Sequence, residues 1–350
     1  MVSENELKSI DVSGMYSLVK SFPEQATEAV KIAGRTKVKL SLSKIRNIII
    51  TGLGGSAIGG DILRSYSSGQ IKIPLLVNRS YTLPEFVNSN SLVVVSSYSG
   101  GTEETISAYE QARKKGAQIL VLSSGGKIGE TASRLGHNWI KIPGGLPPRA
   151  ALGYSFFSLL TAFQKAGILK SKPAEIRETL ALLKQLSDEY SDYGKNPLPL
   201  RLAEQLMNVL PIVYSSTDRF DAVNLRWRGQ MEENAKTVAY GNFFPEMNHN
   251  EIVGYSTLKD MLSRFLVIYL LDEGDHPRVA ARFNFAKEII RPYCSNIIEI
   301  HSQGKSPLAR MLSLIHLGDW TSYYLAINKN VDPTPVSNID MLKKSLSELR

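Results

Sequence analysis

Hydrophobic and polar positions form alternating blocks along the chain, and from about residue 45 onward these blocks follow a regular order. Short runs of β-branched and aliphatic residues are separated by longer segments with the spacing of amphipathic helices, such as 102–115. The pattern predicts five strands in the first half, at 47–51, 74–77, 92–96, 119–123 and 139–142. Strands that alternate with helices in this way are typical of a parallel sheet covered by helices.

Two helical segments, 152–166 and 173–190, are predicted to lead into a second half with the same rhythm. Its predicted strands are 210–215, 237–240, 265–271 and 296–300, and its predicted helices are 220–235, 278–291, 307–326 and 337–349. We therefore expect an α/β protein with two doubly wound parallel-sheet subdomains. The expected subdomains are residues 1–150 and 151–330, and a C-terminal helix over 331–350 is expected to pack at the functional site.

Composition narrows the class of protein. The chain has 350 residues, of which 43% are hydrophobic and 21% charged, as in ordinary globular proteins. The net charge is +8, but its Lys and Arg residues are dispersed, and the densest groups are 113–115 and 343–344. Such short groups are typical of solvated helix faces rather than of a nucleic-acid surface, and the positive charge equally suits an anionic small molecule.

The location expected from the sequence is the cytoplasm. Cys294 is the single cysteine, so no intramolecular disulfide can form, and a reducing compartment is expected. The chain start lacks the pattern of a secretory signal. The longest apolar stretch, 265–271, is much shorter than the roughly 20 residues that a membrane-spanning helix needs. Neither a nucleic acid nor a membrane is therefore expected as a partner.

A glycine-rich turn, 52–60, directly follows the first predicted strand and precedes a helical stretch. Turns of this kind bring backbone N–H groups close to a ligand. The spacing of Gly52, Gly54 and Ala57 also fits a dinucleotide fingerprint. That site requires an acidic residue at the end of the next strand, whereas the chain has Val-Asn-Arg at 77–79. A nicotinamide site is therefore disfavoured.

Three hydroxyl residues follow the third predicted strand, where Ser97, Ser99 and Thr102 flank a pair of glycines before a helix. A helix N-terminus offers unpaired N–H groups and a partial positive charge, and hydroxyls add neutral donors. The alternative is that Ser99 or Thr102 merely caps the helix. Three hydroxyls at one strand-to-helix turn favour a phosphate site, because open α/β sheets bind ligands at such strand ends.

Candidate acid–base residues lie in the second half and at the junction. Glu232 and Glu233 are adjacent on a predicted helix, so their side chains point about 100° apart, and one can face a cleft while the other faces solvent. His249 lies in a polar segment with the features of a loop. Arg149 is predicted at the start of a helix, where the dipole disfavours a cation, which suggests a role beyond that of a surface residue.

Five motifs occur in order along the chain: GLGGSAIGGD at 52–61, SYSGGTEET at 97–105, PPRAALGYS at 147–155, ENAK at 233–236 and NHNE at 248–251. Together they resemble the bifunctional phosphoglucose/phosphomannose isomerases, members of the phosphoglucose isomerase superfamily. The resemblance covers about residues 45–350. It implies two sugar-isomerase subdomains, a homodimer, hexose 6-phosphate substrates, and neither a metal nor another cofactor. Gly101 departs from the family pattern, in which Asn is expected.

The resemblance also implies roles for particular residues. It assigns substrate contacts to Gly54, Gly55, Ser56, Ser97, Ser99 and Thr102. By the same resemblance, Glu233 moves a proton between C1 and C2, His249 assists ring opening from the partner subunit, and Arg149 stabilises the enediolate. Lys343 resembles a site lysine near the chain end, with Lys344 as the alternative. Thr334 is a candidate for the threonine that helps mannose 6-phosphate turnover.

Two other functions remain open at this point. One is isomerisation of another sugar phosphate; a zinc-dependent version would need clustered ligands, and the histidines at 137, 249, 276, 301 and 316 show no such spacing. The other is a non-catalytic sugar-phosphate sensor, which could dispense with Glu233 and His249. Such sensors often carry a DNA-binding domain, for which the first 40 residues are too short and unpatterned.

Overall fold

The computed structural model describes residues 7, 9–217 and 219–348. Strands of the first half are β1 (Asn47–Thr51), β2 (Leu75–Asn78), β3 (Ser91–Ser96), β4 (Gln118–Ser123) and β5 (Asn138–Lys141). Helices of this half are α1 (Met15–Lys20), α2 (Phe22–Arg35), α3 (Gly54–Ser67), α4 (Glu103–Lys114) and α5 (Gly126–Leu135). A 3-10 turn, Pro148–Ala151, then leads into α6 (Leu152–Lys165).

The second half follows α7 (Pro173–Ser191) and α8 (Leu198–Gln205). Its strands are β6 (Leu210–Ser216), β7 (Tyr240–Phe244), β8 (Phe265–Leu271) and β9 (Asn296–His301). Its helices are α9 (Asp221–Glu233), α10 (Lys259–Leu262), α11 (Pro277–Ile290), α12 (Pro307–Asn328) and α13 (Ser337–Ser347). Two 3-10 turns, Glu246–His249 and Glu251–Ser256, connect β7 to α10.

Both sheets are parallel, and the second repeats the strand order of the first without a counterpart of β5. The first has the order β2-β1-β3-β4-β5 and the second β7-β6-β8-β9. In each half the first strand lies second from the edge of its sheet, and the next strand along the chain pairs with it on the edge side. The third strand then pairs with the first strand on its other side. This reversal creates a switch point between β1 and β3, where α/β proteins bind ligands outside the carboxyl ends of the strands. The predicted α/β fold with two parallel sheets is thus confirmed.

The predicted strand at 237–240 is wrong, because the strand lies at Tyr240–Phe244. Thr237 instead closes the end of α9, since its backbone N–H donates to the carbonyl of Met231. The true strand includes Gly241, a residue of low strand propensity. A Cβ at that position would lie 2.1 Å from a carbonyl oxygen of β6, so only glycine lets this strand approach its neighbour. The hydrophobic pattern therefore did not indicate this strand.

Helix α12 forms the centre of the second half's packing. All of its residues from 308 to 327 are buried, which is typical of a helix with neighbours on every side. Gly318 permits its close approach to α9, because a Cβ there would lie 2.5 Å from Nε1 of Trp227. That indole N–H donates to the carbonyl of Leu314 at 2.8 Å. Within the described residues, no helix has the length and apolar character needed to cross a membrane.

Candidate active site

The glycine-rich turn after β1 brings three segments together at the switch point. A Cβ at Gly52 would lie 2.6 Å from the carbonyl oxygen of Ser96 in β3. A Cβ at Gly55, in the first turn of α3, would lie 2.5 Å from the carbonyl group of Pro148. These two glycines therefore allow β3 and the Pro148–Ala151 turn to approach the start of α3. That approach places Arg149 beside the turn.

The hydroxyl loop, residues 97–102, lies at the carboxyl end of β3. The Ser97 hydroxyl donates to Oγ1 of Thr102 at 3.1 Å, and Ser99 accepts a bond from the Gly101 N–H at 3.3 Å. Thr102 occupies the N-cap position of α4, but its side chain forms no capping bond with the helix backbone. The structure thus brings the three predicted hydroxyl residues together at one helix start. Ser56 joins them, since its hydroxyl accepts the Tyr98 N–H at 2.9 Å.

A second glycine pair, Gly125–Gly126, supports this loop and was not identified from the sequence. A Cβ at Gly100 would lie 1.9 Å from the Gly125 carbonyl oxygen, and one at Gly126 would lie 2.3 Å from that of Ser99. The N–H of Ile128 donates to the Gly100 carbonyl at 3.0 Å. These glycines therefore let the backbone of the hydroxyl loop pack directly against the segment that follows β4. A pair of adjacent glycines after β4 was the available signal.

Arg149 is only 3% exposed, which excludes the alternative that it is an ordinary surface residue. Its Nε donates to Oδ1 of Asn234 at 2.7 Å, and its Nη2 donates to the carbonyls of Pro333 and Thr334 at 2.7 and 2.8 Å. Its Nη1 lies 3.4 Å from Oε2 of Glu233. Burial lowers the pKa of Arg149, and the nearby Glu233 carboxylate opposes that shift. The guanidinium is therefore held in one orientation and faces the carboxylate.

A buried ion pair holds the backbone of Arg149. Arg226, on α9, donates from Nε and Nη2 to the two carboxylate oxygens of Asp319, both at 2.9 Å. The same Nη2 also donates to the Arg149 carbonyl at 2.7 Å. Burial raises the pKa of Asp319 and the Arg226 guanidinium opposes this. This pair joins α9, α12 and the Pro148–Ala151 turn.

Glu233 borders a cleft of about 150 Å³ between α3 and α9. The residues that line it are Gly54, Gly55, Ile58, Arg79, Arg149, Leu225, Arg226, Gly229, Gln230 and Glu233. The Glu233 side chain is 31% exposed, whereas Glu232 is an exposed residue outside this lining. Lys236 donates from Nζ to the carbonyls of Glu233 and Pro333 at 2.6 and 3.0 Å. The cleft thus combines one carboxylate with three arginines.

Arg79 is a cleft residue that the sequence reasoning missed. It follows β2 at the carboxyl edge of the first sheet and forms an ion pair with Asp61 of α3. Burial raises the pKa of Asp61, and Arg79 opposes that shift. The segment 77–79 lacks the carboxylate that a dinucleotide site needs, but it does contain a cation. A cation at this strand end was the signal that could have indicated an anionic ligand instead.

Of the predicted site residues, the cleft lining includes Gly54, Gly55, Arg149 and Glu233, and the others are outside it: Ser56, Ser97, Ser99, Thr102, His249 and Lys343. His249 ends the Glu246–His249 turn and is exposed. Lys343 and Lys344 are both exposed on α13, a helix without buried residues. Thr334 reaches the site through its carbonyl, and its buried Oγ1 has no hydrogen-bond partner among the described residues. No set of three or more potential metal-ligating side chains gathers anywhere in the described part of the chain.

The two parallel sheets and the cleft at the switch point of the first sheet define a doubly wound α/β protein, and a family match assigns it to the sugar-isomerase (SIS) class. Residues 196–346 match the family described as the bacterial phospho-glucose isomerase C-terminal SIS domain. Among solved structures, the C-terminal domain of glucosamine-fructose-6-phosphate aminotransferase from Francisella tularensis has a similar fold. The TM-score is 0.69 at 13% identity, over 92% of this chain and 98% of that chain.

Curated relatives narrow the class further. A bifunctional phosphoglucose/phosphomannose isomerase of Caldicellulosiruptor bescii is 45% identical over 96% of this chain and 100% of its own length. The protein of that name from Thermoplasma acidophilum is 36% identical, over 86% of this chain and 90% of its own. The chain belongs to the bifunctional phosphoglucose/phosphomannose isomerase family.

Proposed function

We propose that the protein is an aldose–ketose isomerase that interconverts glucose 6-phosphate and mannose 6-phosphate with fructose 6-phosphate through a cis-enediolate. The observation that carries this proposal is the contact between Arg149 and Glu233 in the cleft, with Nη1 and Oε2 at 3.4 Å. A carboxylate can remove and return a proton, while a fixed guanidinium stabilises the oxyanion that develops. Glucose and mannose 6-phosphates give the same enediol, so one base can serve both.

The substrate phosphate is assigned to the hydroxyl loop. Ser97, Ser99 and Thr102 lie together at the start of α4, where the helix dipole favours an anion. Ser56 and the backbone of Gly54–Gly55 lie at the neighbouring start of α3. Since Gly54 and Gly55 also line the cleft, a phosphate held at the loop would direct its sugar toward Glu233.

Glu233 acts as the base in this proposal, and Glu232 does not. Glu233 is the one of the two that lines the cleft and contacts Arg149. Close positioning matters for proton removal from carbon, and the end of α9 is fixed by Asn234, whose amide donates to the Ser322 hydroxyl at 3.0 Å. Arg149 would stabilise the enediolate oxygens. No step of this reaction requires a metal or an organic cofactor.

We assign His249 to ring opening in the site of a partner subunit, and thus propose a homodimer. Its turn is followed by apolar side chains that are mostly exposed: Val253 at 74%, Leu258 at 69% and Met261 at 59%. A second copy of the chain covering these residues would bury them and bring His249 to its cleft. Lys343, or Lys344 in the alternative register, would then act from α13. Cytoplasmic location is proposed from the single cysteine.

A coupled assay tests the reaction. Purified protein should form fructose 6-phosphate from both glucose 6-phosphate and mannose 6-phosphate. Binding of these sugar phosphates without turnover of either would refute isomerase function and favour the sensor alternative. Turnover of other sugar phosphates alone would refute the assigned substrates.

Subunit complementation tests the role of His249. Glu233→Gln and His249→Ala should each be inactive alone. When the two variants are co-expressed in equal amounts, half of the dimers contain one copy of each. One of the two sites in each mixed dimer then has both Glu233 and His249 intact. About one quarter of the parent activity should therefore return. Activity no greater than that of the two variants separately would refute the shared site.

A further inference from the structure

We propose that Gly229 determines the shape of the sugar chamber: its missing side chain leaves the room that the sugar portion of the substrate occupies beside Glu233. The identity of the ligand rests on the proposed isomerase function. The location of the chamber rests on the geometry of α9 and the cleft alone. Gly229 lies in the interior of α9, one turn before Glu233.

Glycine in a helix interior is unfavourable, because it costs about 1 kcal/mol relative to alanine. Other helical glycines near the site have a packing reason. A Cβ at Gly59 would lie 2.8 Å from the Ser155 hydroxyl, one at Gly60 would lie 2.8 Å from Ile50, and one at Gly318 would overlap Trp227. At Gly229 a Cβ would meet none of the described residues within 4 Å, and the backbone φ is not positive. Neither packing nor backbone conformation requires this glycine.

The space beside Gly229 belongs to the cleft. Leu225, Gly229 and Glu233 are spaced four residues apart on one face of α9, and all three line the cleft. The opposite wall is formed by Gly54 and Arg79. A side chain at 229 would project into this space between the base and the facing wall.

The size and polarity of the cleft, which forms the sugar chamber, suit a sugar. Its volume of about 150 Å³ is that of a cavity known to accommodate a benzene ring. A hexose chain would fill such a space and leave little for added methyl groups. The walls carry Arg79, Arg149 and Glu233, so hydroxyl groups and an enediolate find charged partners there.

Two variants, Gly229→Ala and Gly229→Val, test the inference, with Gly34→Ala as a matched control. Gly34 is the next-to-last residue of α2, is exposed, has none of the described residues within 4 Å of a built Cβ, and is absent from the cleft lining. Gly229→Ala should raise Tm by about 1–3 °C, because it removes a glycine from a helix interior, and Gly34→Ala, in the last turn of its helix, should raise Tm by no more than that. Only the Gly229 variants should lose activity.

The loss of affinity should be confined to the interactions of the sugar portion of the substrate. KM for fructose 6-phosphate should rise roughly 5-fold for Gly229→Ala and roughly 50-fold for Gly229→Val, as overpacking predicts. Inhibition by inorganic phosphate, which needs only the hydroxyl loop, should stay within twofold of the parent, and Gly34→Ala should match the parent in both measurements.

Three results would overturn the inference. One is a Gly229→Val enzyme with the KM of the parent, and another is a lower Tm for Gly229→Ala than for the parent. The third is an equal weakening of phosphate and sugar-phosphate binding. A parent protein without activity on any hexose phosphate would instead refute the proposed function, and this is measured first.

Discussion

Replacing Glu233 with glutamine should abolish proton transfer while leaving the fold intact. The substitution keeps the size of the side chain and removes its ability to accept a proton from carbon. Glu233 is partly exposed and its contact with Arg149 is 3.4 Å, so the loss of this ion pair should cost at most about 1 kcal/mol of stability. Arg149 keeps its bonds to Asn234 and to two backbone carbonyls. Folding and substrate affinity should therefore change little.

The kinetic effect should be much larger than the effect on stability. Loss of a general base costs roughly 10²–10⁴ in rate, which corresponds to about 3–5 kcal/mol of transition-state stabilisation. For a carbon acid we expect the upper end of this range or more. The loss should fall on kcat, because the phosphate and sugar contacts remain. Glu232→Gln is the matched control: the adjacent carboxylate lies outside the cleft lining, and its loss should have a mild effect.

Two assays measure this outcome. The coupled assay gives kcat and KM for each hexose phosphate, and deuterium exchange from solvent into C2 of the substrate reports proton transfer directly. Exchange should vanish with Glu233→Gln and persist with Glu232→Gln. If Glu233→Gln exchanges deuterium at nearly the parent rate, the base is another residue and the assignment of the site is incorrect.

Four further outcomes are expected. Ser97→Ala combined with Thr102→Ala should raise KM at least 10-fold with a smaller effect on kcat; an unchanged KM would place the phosphate elsewhere. Arg149→Lys should lower kcat at least 10-fold, because an ammonium cannot reproduce the planar set of bonds, and parent-like kcat would refute that role. Asp319→Ala should lower the free energy of unfolding in urea by about 3–5 kcal/mol, since Arg226 is left buried without its partner; a loss below about 1 kcal/mol would contradict this. Prolonged EDTA treatment should leave activity unchanged, and loss restored by zinc would indicate a metal enzyme.

The fold was predictable because strand signals were local. β1 and β8 are short, continuous apolar runs, and the structure places them at Asn47–Thr51 and Phe265–Leu271 as expected from the pattern. β7 was misplaced because its position depends on a backbone approach at Gly241 that no side-chain pattern encodes. Hydrophobic periodicity therefore predicts strands that are stabilised by buried side chains. It misses a strand that fits because a side chain is absent.

The residues of the candidate site likewise fall into those that the sequence predicts and those that it does not. Residues within one motif could be proposed together, as with the hydroxyl loop at 97–102. The hydrogen-bond partners that hold site residues in place could not be predicted, because they come from distant parts of the chain. Arg149 and Asn234 are 85 positions apart, and Arg226 and Asp319 are 93 positions apart. Nothing in a single sequence pairs such residues. Arg79 was missed for another reason, since the end of β2 was interpreted only through its lack of a carboxylate.

The surroundings of Arg149 explain how a buried cation can serve the reaction. A guanidinium has five N–H donors, and burying it without acceptors would be costly. Here Nε and Nη2 are occupied by Asn234 and by the carbonyls of Pro333 and Thr334. These neutral partners fix the plane of the group without neutralising its charge. Nη1 is consequently directed at Glu233 and the cleft, so in the proposed mechanism the positive charge is already oriented where an enediolate would form.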